Sequence, residues 1–333
     1  MAMSCYDWLL MIGFMASGIA TPLLIGLLHR QGACGARTML SVFPNYAVMT
    51  LTVCGDWAAR HQGVTLWRMV TLATVVDAVS QGANYTGLIL AGSATYILIY
   101  SSVTVWVAVF SRMFLGRVQT APQWVGCVIV SVGVAITALN GHDQGSDVAL
   151  GVLLVTLGSV GHSLAYILME WNTAVALHPI APSKFASLMG AGGFIIYGAY
   201  EFFYVLPRWD SLVASSIRAA DGDAVTIAAA YGALLIAFWV HAFTFYALMT
   251  KLGATAAGVC KGLQAVGVLV ASHVLFCDHD DRAQCFTPTK ALSFAVVSVG
   301  VACFTAGAAR APTKPEGVAL VPPADSRSGV QLI

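Results

Sequence analysis

The chain has 333 residues, of which 58% are hydrophobic and only 9% are charged. Soluble domains carry about 25% charged residues, so this composition excludes an ordinary soluble domain. Together with a mean hydropathy of +0.80, it predicts a helical protein that crosses the lipid bilayer several times. The net charge of +1 comes without a basic stripe, so there is no basis for nucleic-acid binding.

Ten apolar segments follow one another along the chain, each close to the ~20 residues that cross a ~30 Å hydrocarbon core. They are residues 8–28, 38–58, 67–90, 93–115, 122–140, 149–170, 184–206, 225–249, 253–276 and 289–308. The first segment has no Lys or Arg before it and is therefore predicted to stay as an anchor. Residues 311–333 are rich in Pro and polar residues, which predicts a disordered tail.

Ten spans place both termini on the same side of the membrane. That side carries nine Lys and Arg residues against six on the other side, so the positive-inside rule predicts that both termini are cytosolic. Two longer polar connections, 207–224 and 277–288, then lie on the opposite face. Cys277 and Cys285 occur together in the second of these, and a disulfide between them is an expectation that spacing alone does not establish.

An internal repeat is visible in the sequence. The hexapeptide Val130–Ala135 recurs letter for letter as Val297–Ala302, at corresponding places in the fifth and tenth spans. With five spans in each repeat, the second must enter the membrane in the opposite orientation. We therefore predict an all-α membrane protein of ten transmembrane helices arranged as two inverted five-helix repeats, residues 1–148 and 149–310, followed by a cytosolic tail at 311–333.

Polar residues follow one face of the third span. Asp77, Gln81 and Asn84 recur at helical spacing, and they are predicted to form a cavity wall in which Asp77 binds a substrate cation or a coupling proton. The alternative is a structural hydrogen-bond cluster between helices.

The ninth span carries a second polar pair. Lys261 and Gln264 share a helix face, and Lys261 is predicted to attract an anionic substrate group. The alternatives are that it neutralises Asp77 or snorkels to the interface. The repeat register makes Tyr100 the symmetry mate of Lys261, and Tyr96, Tyr100 and Thr104 form a stripe that either packs or stacks on a substrate.

Two histidines inside spans, His162 and His241, are candidates for proton coupling together with Asp77, because histidine titrates near neutral pH. The alternative for each is a hydrogen-bonded helix contact. The sequence shows no hydrolase, phosphate-loop or metal-ligand motif. No enzymatic activity, cofactor or metal site is therefore predicted.

Four short motifs carry a resemblance to a known family. They are Asp77 with Ala83-Asn84-Tyr85, Gln123-Trp124-Val125-Gly126, Lys251-Leu252-Gly253-Ala254-Thr255 and Ser272-His273-Val274-Leu275-Phe276. In their order and spacing the chain resembles the drug/metabolite transporter superfamily, in particular solute carrier family 35 and its chloroquine-resistance-transporter-like relatives. The resemblance implies a ten-helix inverted-repeat carrier of nucleotide sugars or related metabolites. It also implies an endomembrane (Golgi, ER or lysosome-like) more than the plasma membrane.

The resemblance has a departure at its substrate motif. Carriers of the GDP-mannose type have an Asn-Lys pair on the ninth helix, whereas here Cys260 precedes Lys261. Their Phe-Tyr-Asn-Asn pattern on the seventh helix is replaced by Gly192–Tyr197. This departure argues against GDP-mannose as the substrate.

The function expected from the sequence is secondary-active transport of a small organic solute by alternating access, through exchange or proton coupling. One alternative is a proton-coupled exporter of cationic metabolites or drugs. Another is a membrane scaffold that does not transport. A homodimer stays open, because Gly-rich faces serve packing within one chain equally well.

Overall fold

The computed structural model describes residues 5–64, 67–142, 146–277 and 284–309, without the side chains of 5, 55, 57, 138–142, 146, 174, 246–263, 308 and 309. All regular secondary structure in these ranges is helical. The longer helices are α1 (Cys5–Arg30), α4 (Trp67–Tyr100), α5 (Val103–Leu115), α6 (Ala121–His142), α7 (Ser146–Glu170), α8 (Pro182–Tyr200), α10 (Ala224–Phe276) and α11 (Pro288–Ala309). The short ones are α2 (Phe43–Met49), α3 (Trp57–Arg60) and α9 (Ser215–Ala219). The predicted tail 311–333 lies outside the described residues.

Five of the described helical stretches are long and apolar enough to cross a membrane. They are Tyr6–Arg30, Asp147–Thr173, Pro182–Arg208, Ala224–Phe245 and Pro288–Gly307. A sixth candidate is the pair α4 and α5, which meet at a 49° bend. Two shorter apolar stretches, Ala121–Thr137 and Gln264–Phe276, accompany them. The prediction of an all-α chain with several membrane-spanning helices is thus confirmed at this level.

Three predicted boundaries differ from the structure. The fourth span, predicted at 93–115, is divided between the end of α4 and α5, with a break after Tyr100. The second span, predicted at 38–58, is the short helix α2 followed by a 3-10 turn at Thr50–Gly55, because Pro44 starts the helix late. The connection predicted at 207–224 is helical as far as Ala219. Pro207 lies in a 3-10 segment that directly follows a π-helical turn, Glu201–Val205.

The helix α10 folds back beside α1. The ring of His241 stacks on Phe14 with centroids 4.7 Å apart, and Gln264 Nε2 donates to the backbone oxygen of Phe14 at 2.7 Å. A straight α-helix would separate residues 241 and 264 by about 35 Å. The chain must therefore reverse direction between them, in the interval where the sequence predicts a turn between two spans.

The helices α6 and α11 meet through the repeated hexapeptide. A Cβ on Gly300 would lie 2.7 Å from the backbone nitrogen of Val130, and one on Gly133 would lie 2.6 Å from the side chain of Val297. Gly133 and Gly300 occupy the same position in the two copies of the hexapeptide, and so do Val130 and Val297. The two contacts are therefore equivalent. Reciprocal contacts of this kind are those of a two-fold interface.

The reciprocity extends beyond the hexapeptide. A Cβ on Gly126 would lie 2.6 Å from the backbone nitrogen of Phe304. In the other copy of the repeat, the positions that correspond to Gly126 and Phe304 are Ser293 and Thr137. The hydroxyl oxygens of Ser293 and Thr137 are 2.5 Å apart. We call this close backbone contact between α6 and α11 the glycine seam.

The helix α4 is interrupted at Gly92, and a buried glutamine occupies the break. Gly92 has φ 78° and ψ 158°, a conformation essentially restricted to glycine. The Gln284 Oε1 atom accepts from the backbone N–H and hydroxyl of Ser93 at 3.1 and 3.0 Å, and from the hydroxyl of Ser272 at 2.8 Å. The next residue along, Cys285, is in a disulfide with Cys277. The disulfide therefore restrains the segment that carries Gln284.

We predict that the glycine seam tolerates no added carbon. Gly126→Ala and Gly300→Ala should each lower the free energy of unfolding by about 1–3 kcal/mol, because the new Cβ meets backbone atoms that cannot rotate away. Gly232→Ala is the matched control, since nothing lies within 4 Å of its Cβ position on a helix. Unfolding of the purified protein in detergent measures all three, and equal stability of seam and control variants would contradict the prediction.

We also predict that Gln284 and the disulfide act together. Gln284→Ala should cost about 1–3 kcal/mol of stability, since the buried N–H of Ser93 loses its acceptor and the hydroxyls of Ser93 and Ser272 each lose one of theirs. Reduction of the disulfide should then destabilise the Gln284→Ala variant by at least ~0.5 kcal/mol less than it destabilises the unmodified protein. Unfolding with and without a thiol reductant measures both effects, and strict additivity would show that the disulfide does not position Gln284.

Candidate functional site

A cavity of about 230 Å³ lies between α1, α2, α4, α5, α7, α8, α10 and α11. Its polar lining comes from many separate parts of the chain. The polar residues that line it are Thr21, Asn45, Asp77, Gln81, Tyr85, Tyr96, Tyr100, Ser101, Thr104, His162, Tyr166, His241, Gln264 and Ser298. Asp77 is the only carboxylate among the described lining residues, and these include no Lys or Arg. The charge of this wall is therefore set by Asp77 and the two histidines.

The Asp77 carboxylate is buried and has partners on both oxygens. The Tyr46 hydroxyl donates to Oδ2 at 2.7 Å, and His162 Nδ1 lies 3.0 Å from Oδ1. Both partners are themselves buried. Asp77 is ten residues from the start of α4, about 15 Å along the helix, which is half of a ~30 Å hydrocarbon core. A proton can be held or exchanged between Asp77 and His162 at this depth.

The position of Tyr46 is fixed by its packing against α8. A Cβ on Gly193 would lie 2.1 Å from the Tyr46 ring, so only glycine admits the ring there. The ring stacks on Tyr197 at 5.5 Å, and the Tyr197 hydroxyl donates to the backbone oxygen of Ala78 at 2.6 Å. The hydroxyl of Tyr46 therefore faces Asp77 because α2, α4 and α8 are locked together on that side.

The position of His162 is fixed by close packing of α7 on α4. A Cβ on Gly161 would lie 2.2 Å from the Ser80 hydroxyl, and one on Gly158 would lie 2.4 Å from Asn84. Small residues at such contacts let membrane helices approach closely. This approach brings His162 within hydrogen-bonding distance of Asp77.

A continuous series of aromatic rings connects the two histidines along the cavity. Tyr100 lies 5.9 Å from His162, and His162 lies 4.4 Å from Tyr166. The series then continues through Phe245 and Phe14 to His241, with centroids 6.1, 6.0 and 4.7 Å apart. Such a wall offers π-faces to an apolar or cationic ligand.

The far side of the cavity is built on α1. Ser17 Oγ lies 3.2 Å from His241 Nδ1, and the Gln264 amide is held against Phe14. A Cβ on Gly18 would lie 2.3 Å from the Gln264 amide nitrogen. Gly18 therefore makes the space that Gln264 occupies at the cavity wall.

The structure brings most of the predicted site residues to this one cavity. They are Asp77, Gln81, Tyr96, Tyr100, His162, His241 and Gln264. Asn84 is an exception, since it is buried against Gly158 at the contact of α4 with α7 and does not line the cavity. Its amide oxygen and nitrogen have no hydrogen-bond partner. The side chain of Lys261 lies outside the described residues.

Sequence reasoning missed Tyr46 as the partner of Asp77. Tyr46 belongs to a segment predicted as an ordinary apolar span, and nothing in its spacing distinguishes it from a packing tyrosine. It named His162 and Asp77 together as candidates for proton coupling but did not predict that they pair, and the structure places His162 Nδ1 3.0 Å from Asp77 Oδ1. The one signal was that both lie near the middle of their predicted spans.

The described residues contain one group with three metal-ligand atoms close together. It is His273, Cys277 and Cys285, whose ligand atoms lie within 4.8 Å of one another. The two sulfur atoms are joined in the disulfide, so neither is present as the thiolate that binds a metal.

Comparisons with known proteins identify a fold but no function. No family model matches the chain. An uncharacterized protein of Schizosaccharomyces pombe is 23% identical over 141 residues, which cover 41% of this chain and 43% of that protein. The match thus spans less than half the length of the relative. A solved structure, described only as the crystal structure of a protein, superposes with a TM-score of 0.52 at 15% identity over 87% of this chain and 97% of the other.

We predict that Tyr46→Phe destabilises the protein by about 1.5–3 kcal/mol, the value of a hydrogen bond to a charged group. The lost hydroxyl leaves Asp77 Oδ2 without its donor. Tyr85→Phe is the matched control, since Tyr85 is also a buried tyrosine of the cavity wall and its hydroxyl does not contact Asp77. Thermal unfolding compares the two variants. An equal loss of stability in both would show that the hydrogen bond from Tyr46 to Asp77 adds no stability beyond that of another buried tyrosine hydroxyl.

Proposed function

We propose that this chain is a secondary-active transporter of a small organic solute. The observation that carries the proposal is the buried Asp77–His162 pair in the wall of a central cavity. A carboxylate in the middle of a membrane helix is costly and marks ion and substrate pathways. Here it faces a space large enough for a small solute, lined by groups that can bind one. No catalytic activity, cofactor or metal site is included in the proposal.

The architecture that goes with this function is two inverted five-helix repeats. Two observations support it: the reciprocal contacts of the glycine seam and the reversal of α10 between His241 and Gln264. In transporters built this way the substrate site lies between the repeats near the midplane. Asp77 on α4 and Gln264 on α10 would come from opposite repeats and face the same cavity.

Two substrate classes follow from different observations. The family resemblance favours a nucleotide sugar or related metabolite, which would need Lys261 to meet its phosphates. The described cavity wall favours the second candidate, a cationic solute exchanged for protons, because it holds Asp77, two histidines and several aromatic rings. Phosphate groups are usually bound by several cationic groups, and the described lining residues include no Lys or Arg.

The cellular setting is part of the same proposal. An endomembrane location with cytosolic termini would put the Cys277–Cys285 disulfide on the lumenal face, where an oxidising environment preserves it. The partners proposed are the solute and the lipid bilayer, and a homodimer is compatible with them.

The first test is a ligand screen by thermal shift on the purified protein. Nucleotide sugars, nucleotides, sugar phosphates, amino acids and basic amines form the panel. A ligand at about 100 times its Kd stabilises the protein by about 2.7 kcal/mol. A shift with amines that is lost in Asp77→Asn supports the cationic class, whereas a shift with nucleotide sugars that is lost in Lys261→Ala supports the anionic class. A scaffold that does not transport would give no shift.

The second test is transport itself. In proteoliposomes that contain a pH-sensitive dye, an outward gradient of the screened ligand should drive proton movement. Asp77→Asn should reduce this flux at least about tenfold, equivalent to ~1.4 kcal/mol, because the coupling carboxylate is gone. Asp210→Asn is the control, since Asp210 is exposed and pairs with Arg218 on the surface. Undiminished flux in Asp77→Asn, at normal expression, would reject Asp77 as the coupling residue.

A further inference from the structure

The chain reverses direction at the break in α4. The ring centroids of Tyr100 and His162 are 5.9 Å apart, and His162 Nδ1 lies 3.0 Å from Asp77 Oδ1. A straight α-helix would separate residues 77 and 100 by about 35 Å. The turn is at Gly92, whose φ of 78° and ψ of 158° are not helical, and residues 93–100 therefore run back along the cavity.

At this turn α4 is bound to the last part of α10. The Ser93 hydroxyl donates to Ser272 Oγ at 2.9 Å. Gln284 Oε1 accepts from the N–H and hydroxyl of Ser93 and from the hydroxyl of Ser272, at 2.8 to 3.1 Å. All three side chains are buried, and we call them the end cluster. Ser93 belongs to the first predicted repeat and the other two residues belong to the second, so the end cluster joins the repeats.

The end cluster and an apolar layer close the cavity on the side of the disulfide. The layer consists of the buried side chains of Ala94, Leu98 and Leu269, with Ile97 and Phe294 packed against them. Ile97 and Phe294 also line the cavity, whereas the end cluster does not. A solute that leaves the cavity on this side must therefore separate first the layer and then the end cluster.

The disulfide determines which part of the end cluster moves with α10. Cys277 directly follows the last residue of α10, and its bond to Cys285 ties the neighbouring Gln284 to that end of the helix. Gln284 therefore stays with Ser272 when the turn of α4 moves. The contacts that break on separation are those that Ser93 makes with the other two residues.

We propose that the end cluster is a gate of the transport path, closed in this structure, on the disulfide side of the cavity. The inference rests on the proposed transport function, because a scaffold that does not transport needs no opening there. The gate opens when the turn that carries Ser93 moves away from Ser272 and Gln284. Water that enters the open path then replaces the lost partners of these polar groups, so they are satisfied in both states.

Hydrogen–deuterium exchange of the purified protein tests the closure without any ligand. Gln284→Ala removes the oxygen that accepts from the N–H and the hydroxyl of Ser93. The amide exchange rate of residues 93–100 should rise about tenfold, equivalent to ~1.4 kcal/mol, because the turn of α4 separates more often from α10. An unchanged rate in residues 93–100 would overturn the proposal.

Two controls separate opening of the gate from a general loss of stability. Gln62→Ala is the matched variant, because the Gln62 carboxamide also joins two segments, through the oxygen of Pro179 and the N–H of Ala181, but does not contact the end cluster. The stretch Ala121–Thr137, which takes part in the glycine seam, is the internal reference. Exchange in residues 93–100 that rises equally in Gln62→Ala, or no more than in the reference stretch, would overturn the proposal.

A covalent cross-link tests whether the gate has to open for transport. The hydroxyl oxygens of Ser93 and Ser272 are 2.9 Å apart, so cysteines at both positions are close enough to be joined by oxidation with copper–phenanthroline. In proteoliposomes, flux of the basic amine or nucleotide sugar that gives the thermal shift should fall at least about tenfold when the Ser93→Cys/Ser272→Cys protein is oxidised. The thermal shift itself should persist, since the cavity stays intact.

The controls are the two single variants, oxidised in the same way, which should keep their flux. Full flux in the cross-linked protein, while the unmodified protein also transports, would overturn the gate and leave the transport function standing. Absence of flux in the unmodified protein would overturn the transport function and the gate with it. The two failures are therefore distinguishable.

Discussion

The pairing of Asp77 with Tyr46 and His162 is the interaction that the rest of the bundle has to accommodate. The bilayer core offers no donors, so a carboxylate at this depth must find them inside the protein. Its two donors come from α2 and α7, one on each side of α4. The glycines that let α7 and α8 approach are placed where they bring those donors into range. Close packing here brings donors to the Asp77 carboxylate, and the need for those donors in turn determines which helices pack against α4.

The helices α6 and α11 are held together by a different kind of contact. The glycine seam between α6 and α11 has no charged residue in it and consists of backbone against backbone, closed by the Thr137 and Ser293 hydroxyls. Dispersion and short hydrogen bonds replace the hydrophobic effect as the source of helix association in lipid. The polar pairing at Asp77 and the apolar seam are therefore separate ways of holding helices together, although Val297 of the seam also lines the cavity.

The predictable part of the site was its helical periodicity. Asp77 and Gln81 share a face, and that face does line the cavity. Helical periodicity shows on which face of a helix a residue lies, but not how far the cavity extends along that face. Asn84 points in nearly the same direction, yet Gly158 lets α7 close over it. Nothing in the local sequence states where a neighbouring helix comes close.

The partner of Asp77 could not be predicted for a related reason. Tyr46 reaches Asp77 because α2 is short and begins late, after a segment of turns at residues 31–42. Hydropathy suggested one ordinary span in this region. The reversal of α10 was better defined in the sequence, which predicts two spans, 225–249 and 253–276, joined by a short connection. Length can be counted from a sequence, whereas a contact between distant segments has to be observed.

The glycine seam has one consequence for how the molecule can change shape. Backbones that touch directly leave no flexible side chain between them to absorb a sliding movement, so α6 and α11 form a stiff pair. Deformation must then concentrate where helices are already interrupted, at Gly92 and at the bend between α4 and α5. Both interruptions lie in the stretch that follows Asp77. Movement of α4 and α5 relative to α6 and α11 would therefore be concentrated at these two positions.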